Sequence, residues 1–361
     1  MNLVSFGGVV QAVAHSSKLV LALLAVLLLV VAAIGPARTF EARSVPSASC
    51  PSSGGPRVVE RIRVPGRPGF LVLTKHRLWA ALAAPHLAGR GAIALIDPRS
   101  ARLERVIRLP VDPHQIVFAF GSLWVTGDTS IRKWNGLLRI DPKTGNVLAV
   151  IRARRPLGSK IAATADAIWI NGGDIFPVGH GERADVRFVY RIDPRRNAVV
   201  RRFQLPQQAT VIALAGAGRA LWSVGWWGVV KLSPSGRVLF RRSIDGSGWA
   251  LALTPGVVWV AQPWYGTRPV RRQDKPARRL LRIPTSGSAT RTVIELDFQP
   301  GGVSAAGGLV WVGGNNGVVR LDAAGDTPTK VQLGAAPNYL QAFRGGAWIS
   351  ELRSNRVSKV C

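Results

Sequence analysis

The chain has 361 residues, with 48 lysines and arginines against 19 aspartates and glutamates, for a formal net charge of +29. A balance of that sign attracts anions, yet the sequence holds no nucleic-acid-binding module, so no nucleic-acid partner is expected. The lack of Gly-x-Ser-x-Gly, His-Glu-x-x-His, phosphate-loop and EF-hand patterns excludes the enzyme and metal classes those patterns mark.

Residues Leu19 to Ile34 form an unbroken run of leucine, valine, alanine and isoleucine, preceded by Lys18 and followed by Gly35-Pro36-Ala37. The run is longer than the roughly 7–15 residues of a signal-peptide core and shorter than the roughly 20 that span a bilayer. Two alternatives stay open for residues 1–37: a cleaved signal peptide, with Gly35-Pro36-Ala37 as the small-residue cleavage site, or an uncleaved N-terminal membrane anchor. Both put the rest of the chain outside the cytoplasm, secreted or anchored. Residues 38–56 are rich in serine, proline and glycine and read as a stalk.

From residue 57 the chain repeats itself. Trp79, Trp124, Trp169, Trp222, Trp259, Trp311 and Trp348 each sit in a short apolar run, 37 to 53 residues apart. The second unit shows the pattern: Gln115 to Phe120, Leu123-Trp-Val-Thr126, Gly136 to Ile140, the turn Asp141-Pro-Lys-Thr-Gly145, and Val147 to Ile151. Four β-rich runs separated by turn residues make an antiparallel meander. Proline presets φ in the Asp-Pro-x-x-Gly turn and glycine takes a positive φ. A repeat of about 40–50 residues built this way is a propeller blade. The expected fold is all-β: a seven-bladed propeller of four-stranded blades over residues 57–361. With strands named a to d from the axis outwards, each tryptophan falls on strand b and packs between blades.

The last unit stops after a strand c at Arg356 to Cys361. Its missing strand d is available at Arg57 to Val64, which resembles Arg102 to Arg108, so the termini should close the ring within one blade. Cys50 and Cys361, the only cysteines, both fall where the turn aspartate belongs, one on each side of the break. Their spacing in an exported chain predicts a disulfide that replaces the missing turn.

The b–c and d–a loops emerge on one face, and length variation concentrates in the b–c loops, so a site is expected there. That face should carry Trp134, Trp226, Trp227, Trp264 and Tyr265 on b–c loops, with Trp249 and Tyr339 near d–a loops. These are candidates to bind a protein, a small molecule or a glycan. His86, His114 and His180, with Glu182, are candidates for a divalent metal or for general acid–base work, in a spacing that matches no ligand motif. No cofactor is expected apart from that metal. Many arginines, among them Arg105, Arg108, Arg152, Arg201, Arg202, Arg241, Arg242 and Arg291, map to outermost strands, where charge discourages edge pairing. The remaining electrostatic expectation is association with an anionic membrane or wall surface.

The units Leu123-Trp-Val-Thr, Leu138-Arg-Ile-Asp-Pro-Lys-Thr-Gly145 and Tyr190-Arg-Ile-Asp-Pro194 resemble the repeats of the YVTN, NHL and streptogramin-lyase-like propeller superfamily. The resemblance covers residues 57–361 and implies the propeller fold. Streptogramin lyases imply a metal-dependent elimination as the alternative to a non-enzymatic binding module. Their histidine–glutamate arrangement has no clear counterpart here, so no catalytic residue is carried over.

Overall fold

The computed structural model describes residue 50 and residues 55–361, except 84–89, 128–135, 174–186, 207–209, 227, 265–275, 287–289, 316, 323–327, 332 and 334–336. No helix among the described residues is long and apolar enough to cross a membrane. The apolar run of residues 19–34 lies outside them.

β1 (Val58–Arg63) comes first. Blade 1 follows with β2 (Arg67–Leu73), β3 (Leu78–Ala83), β4 (Ala92–Asp97) and β5 (Arg102–Arg108). Blade 2 has β6 (Pro113–Ala119), β7 (Ser122–Gly127), β8 (Gly136–Ile140) and β9 (Val147–Arg152). Blade 3 has β10 (Ile161–Ala163), β11 (Ile168–Asn171), β12 (Phe188–Asp193) and β13 (Ala198–Gln204). Blade 4 has β14 (Ala213–Ala217), β15 (Ala220–Val224), β16 (Gly228–Leu232) and β17 (Val238–Ser243). Blade 5 has β18 (Ala250–Thr254), β19 (Val257–Trp264), β20 (Pro276–Pro284) and β21 (Thr292–Glu295). Blade 6 has β22 (Pro300–Ala306), β23 (Leu309–Gly314), β24 (Gly317–Asp322) and β25 (Thr329–Val331). Blade 7 has β26 (Pro337–Phe343), β27 (Gly346–Glu351) and β28 (Arg356–Val360).

Each blade is one four-stranded antiparallel sheet, and the seventh takes β1 as its outermost strand. The innermost strands touch in cyclic order from β2 through β6, β10, β14, β18 and β22 to β26, which meets β2 again. The protein is a seven-bladed β-propeller whose amino-terminal strand completes the blade begun by its carboxyl terminus.

The seam is held three ways. β1 runs antiparallel to β28, with Arg61 opposite Ser358 and Arg63 opposite Arg356. Arg57 and Cys361 exchange backbone hydrogen bonds of 2.7 and 3.0 Å. Cys50 and Cys361 form a disulfide with a Cα–Cα distance of 5.2 Å. The bridge fits because position 346 is glycine: a Cβ there would lie 2.8 Å from Cys50 Sγ and 2.5 Å from the Val360 carbonyl oxygen.

All seven repeat tryptophans lie on strand b and are buried, five of them fully. They belong to the apolar clusters that fill the spaces between blades. Strand register adds a feature that the spacing of the repeats does not show. Directly opposite six of the seven tryptophans on strand c stands a cation: Arg139 for Trp124, Arg191 for Trp169, Lys231 for Trp222, Arg282 for Trp259, Arg320 for Trp311 and Lys359 for Trp348. Blade 1 has Leu95 instead. The Arg139 guanidinium lies 5.1 Å from the centroid of Trp124 and the Lys231 ammonium 5.2 Å from that of Trp222, in cation–π range. Part of the positive charge is therefore spent inside the fold, covering ring faces.

The Asp-Pro turns do more than reverse the chain. Asp97, Asp141 and Asp193 each accept the backbone N–H two residues on, from Arg99, Lys143 and Arg195. Those donors hold the three exposed carboxyls below the usual aspartate range. The turns of blades 2 and 3 also touch the blade before them. Arg105 donates to the Lys143 carbonyl at 2.7 Å and to that of Thr144. Arg139 donates to the Pro194 carbonyl at 2.8 Å and to Asn197 Oδ1 at 2.9 Å. Gly145 takes the left-handed conformation at φ 80°, while Ala101 and Asn197 take it in the matching turns of blades 1 and 3.

Lys359 titrates inside this framework. Its side chain is buried against the Phe343 and Trp348 rings at 5.6 and 6.0 Å. Burial pushes its pKa below the ordinary lysine value of 10.5, and Glu60 opposes the shift. Between the lowered folded value and the ordinary one, the unfolded chain holds a proton that the folded chain has released. Stability therefore rises with pH across that window. Urea unfolding at successive pH values should show this rise, and Lys359→Met should flatten it; equal slopes in both proteins would refute the assignment.

Candidate functional site

The d–a and b–c connections open on one face, and buried polar side chains latch the d–a connections in place. Thr126, at the end of strand b in blade 2, accepts from Gln115 N at 3.0 Å and donates to the Ser159 carbonyl at 2.8 Å. Gln115 Oε1 accepts from Ile161 N at 2.9 Å, joining blade 2 to blade 3. Asn171 Oδ1 accepts from Lys160 N at 2.8 Å. Gln262 donates to the Asp245 carbonyl, Gln299 to that of Pro263, and Ser350 to that of Gly69. Thr126, Asn171, Gln262 and Ser350 are completely buried. A buried polar group without a partner costs about 1–3 kcal/mol, so these latches define the loop positions as well as stabilise them. In the sequence this belt shows only as a polar residue two or three places after the repeat tryptophan, a position no repeat pattern marks as functional.

On the axis, four neighbouring inner strands share a second device. β22, β26, β2 and β6 each carry a proline at or beside the first position, and the register shifts just after it. Proline has no N–H to give the ladder, and the bulge re-aims the residues that follow. Those residues include Phe70, His114 and Tyr339. The Phe70 ring lies 4.2 Å from Tyr339 at 42° and 5.7 Å from His114 at 36°. His114 Nε2 lies 3.5 Å from Lys160 Nζ. Blades 7, 1, 2 and the connection into blade 3 thus build one half-buried arc of two aromatic rings, an imidazole and an ammonium. Burial raises the Tyr339 pKa above 10.0, so its phenol stays neutral.

The candidates read from sequence fall into three groups. Trp226 and Trp249 are half-buried on adjacent loops, which Gly248 N joins to the Gly225 carbonyl at 3.1 Å. Trp226 N donates to Thr210 Oγ1 at 3.0 Å, and Trp249 N to the Ala261 carbonyl at 2.9 Å. This pair, between blades 4 and 5, lies half a turn of the ring from the arc centred on blade 1. Trp264 is corrected: it is the last residue of β19 and pairs with Pro276 instead of lying on a loop. A register shift between Gln262 and Trp264, with one residue more on β20, and the early start of β20 lengthen that hairpin and draw Trp264 into the ladder. Trp134, Trp227, Tyr265, His86, His180 and Glu182 lie outside the described residues. Of the histidine set, His114 alone is placed, and its neighbours are Phe70 and Lys160. Among the described residues no group of three histidine, cysteine, aspartate or glutamate side chains could hold a metal ion.

Comparison with known proteins supports the architecture. The Neurospora crassa Pan2 WD40 domain superposes with a TM-score of 0.65 at 11% identity, over 85% of this chain and 95% of that one. Hydrazine synthase of Kuenenia stuttgartiensis gives 0.64 at 15%, over 82% and 96%. A chain of the mitotic checkpoint complex gives 0.64 at 11%, over 87% and 95%. Likeness at these identities establishes the propeller fold alone. No family model matches the chain, and no curated protein sequence matches it. The YVTN and NHL affiliation therefore stays a resemblance of repeats.

Proposed function

We propose that the chain is a non-enzymatic binding propeller that works outside the cytoplasm and engages a protein or glycan through its b–c and d–a loop face. The observation that carries this reading is the Tyr339–Phe70–His114 arc, set at the starts of inner strands beside d–a connections locked by buried hydrogen bonds. A preorganised aromatic surface gains affinity because little is left to order on binding. Ring faces beside an ammonium suit sugar rings and apolar side chains. Trp226 and Trp249 would widen the footprint across the mouth. WD40 propellers among the structural neighbours, one of them in a checkpoint assembly, agree with an interaction role. In this reading residues 1–37 export or anchor the chain, residues 38–56 tether it, and the Cys50–Cys361 bridge suits an oxidising compartment.

A glycan array probed with the purified chain, followed by calorimetry on any hit, tests the proposal. Phe70→Ala with Tyr339→Ala should weaken binding by at least about tenfold, roughly 1.4 kcal/mol, while the thermal midpoint falls by only a few degrees. Unchanged affinity in that variant would remove the arc from the site. A stoichiometric divalent metal lost on changing His114 and His180 together would instead favour the lyase reading.

A further inference from the structure

A second surface lies on the rim, away from the loop face. Each blade ends in an outermost strand whose far edge pairs with no other described strand: β5, β9, β13, β17, β21, β25 and β1. Such an edge offers backbone N–H and C=O groups to any extended chain, and side-chain charge is what normally blocks it. Five of these strands carry a one-residue bulge, at Val59, Glu104, Leu148, Val200 and Leu239, and so can be aligned. The two residues after the bulge are Glu60-Arg61 in β1, Arg105-Val106 in β5, Arg201-Arg202 in β13 and Phe240-Arg241 in β17. In β9 they are Ala149-Val150. The two remaining strands carry Glu295 and Lys330. β9 is uncharged from Val147 through Ile151, and it exposes Val147 at 41%, Leu148 at 53% and Val150 at 44%.

We propose that the outer edge of β9 accepts an extended segment of a partner protein, alternating acidic and apolar residues, as a fifth strand of blade 2. The neutral stretch lies within a basic surround. Arg105 and Arg108 on β5, Lys143 on the turn before β9, Arg152 at its end, and Arg201 and Arg202 on β13 are all exposed. The carboxylate nearest in sequence, Asp141, accepts Lys143 N at 2.8 Å and Thr144 Oγ1 at 3.0 Å within its own turn, and Glu104 on β5 is tied to Arg77 at 3.2 Å. Backbone hydrogen bonds along β9 supply affinity for any strand. Apolar side chains cover Leu148 and Val150, and carboxylates meet the flanking arginines. A second copy of this chain is the poorer occupant, because self-pairing would set these cations against their own images on molecules of net charge +29. The proposal does not rest on the loop-face reading, since the rim and the loop face share no residue.

The test uses the full chain and an end-blocked peptide of about ten residues alternating glutamate and valine, with a lysine–valine peptide as control. Calorimetry should show binding of the acidic peptide alone, weakening several-fold from about 50 to 300 mM salt. Hydrogen exchange should slow at Val147 to Arg152 and at no other outer strand. Leu148→Lys with Val150→Lys should cost at least about tenfold in affinity with an unchanged circular dichroism spectrum. Val238→Lys with Leu239→Lys on β17 should leave affinity intact. Four results would each overturn the proposal: no binding at millimolar peptide, equal binding by the β9 variant, protection of β9 before peptide is added, or a dimer that the β9 variant dissolves.

Discussion

Replacing Cys50 and Cys361 together by serine is expected to lower the unfolding free energy by about 4 kcal/mol. The bridge links positions 311 residues apart, so nearly the whole propeller lies inside the loop it closes. For a loop of that length the chain-entropy relation gives an upper value of about 5–6 kcal/mol, and measured losses usually fall at about 2–5. In a domain of this size the thermal midpoint should drop by about 6 °C. The loss also has a location. Without the bridge, β1 is held to β28 by its ladder, by the Arg57–Cys361 pair and by Val64 N donating to the Asn355 carbonyl at 2.9 Å. Amides of Arg61 and Arg63 should then exchange faster than those of blades 3 to 5. Thermal unfolding and hydrogen exchange of the serine variant check both parts; an unchanged midpoint, or uniform exchange, would show that the ladder alone secures the seam.

Trp124→Ala should cost about 3–5 kcal/mol, the usual range for emptying a buried aromatic site. Trp124 is fully buried among Leu137, Ile151, Leu157 and Ile161, and its indole N–H donates to the Ala119 carbonyl at 3.0 Å. The truncation leaves a cavity between blades 2 and 3, an unmet carbonyl, and Arg139 without the ring it covers. Trp249→Ala is the contrast. That side chain is half-buried on the loop face, so its removal should cost below about 1 kcal/mol. Denaturant unfolding of the two variants should rank them in that order. A reversed ranking would mean that the loop-face tryptophans serve packing and the strand-b series does not.

This contrast also marks what was legible in advance. A propeller blade is a meander, and its pairings join strands that are neighbours in sequence. Local pattern therefore carries the fold: Trp124 to Asp141 in blade 2 shows strand b, strand c and the turn without reference to any other blade. Trp264 was misplaced because a bulge and a longer hairpin are properties of the register of β19 against β20. Hairpin length does not follow from composition, and Pro276 looks like a loop residue until the ladder is seen. The cations beneath the tryptophans were hidden for a similar reason. Arg139 and Trp124 are 15 residues apart in sequence, and only pairing sets one over the other.

The sequence by itself determined the all-β class, the seven units, the tryptophan position in each, and the closure of the ring by its own termini through Cys50 and Cys361. Each follows from interactions that repeat at short range or from two cysteines with no other partners. Only the tertiary structure decided where a site could form. Phe70, His114 and Tyr339 come from three different units, and ring closure alone brings the first and last blades into contact. Proline-linked bulges then turn those side chains toward one another. The rim followed the same logic: β9 looks like any apolar strand until its place at the edge exposes what the other outer strands guard with charge.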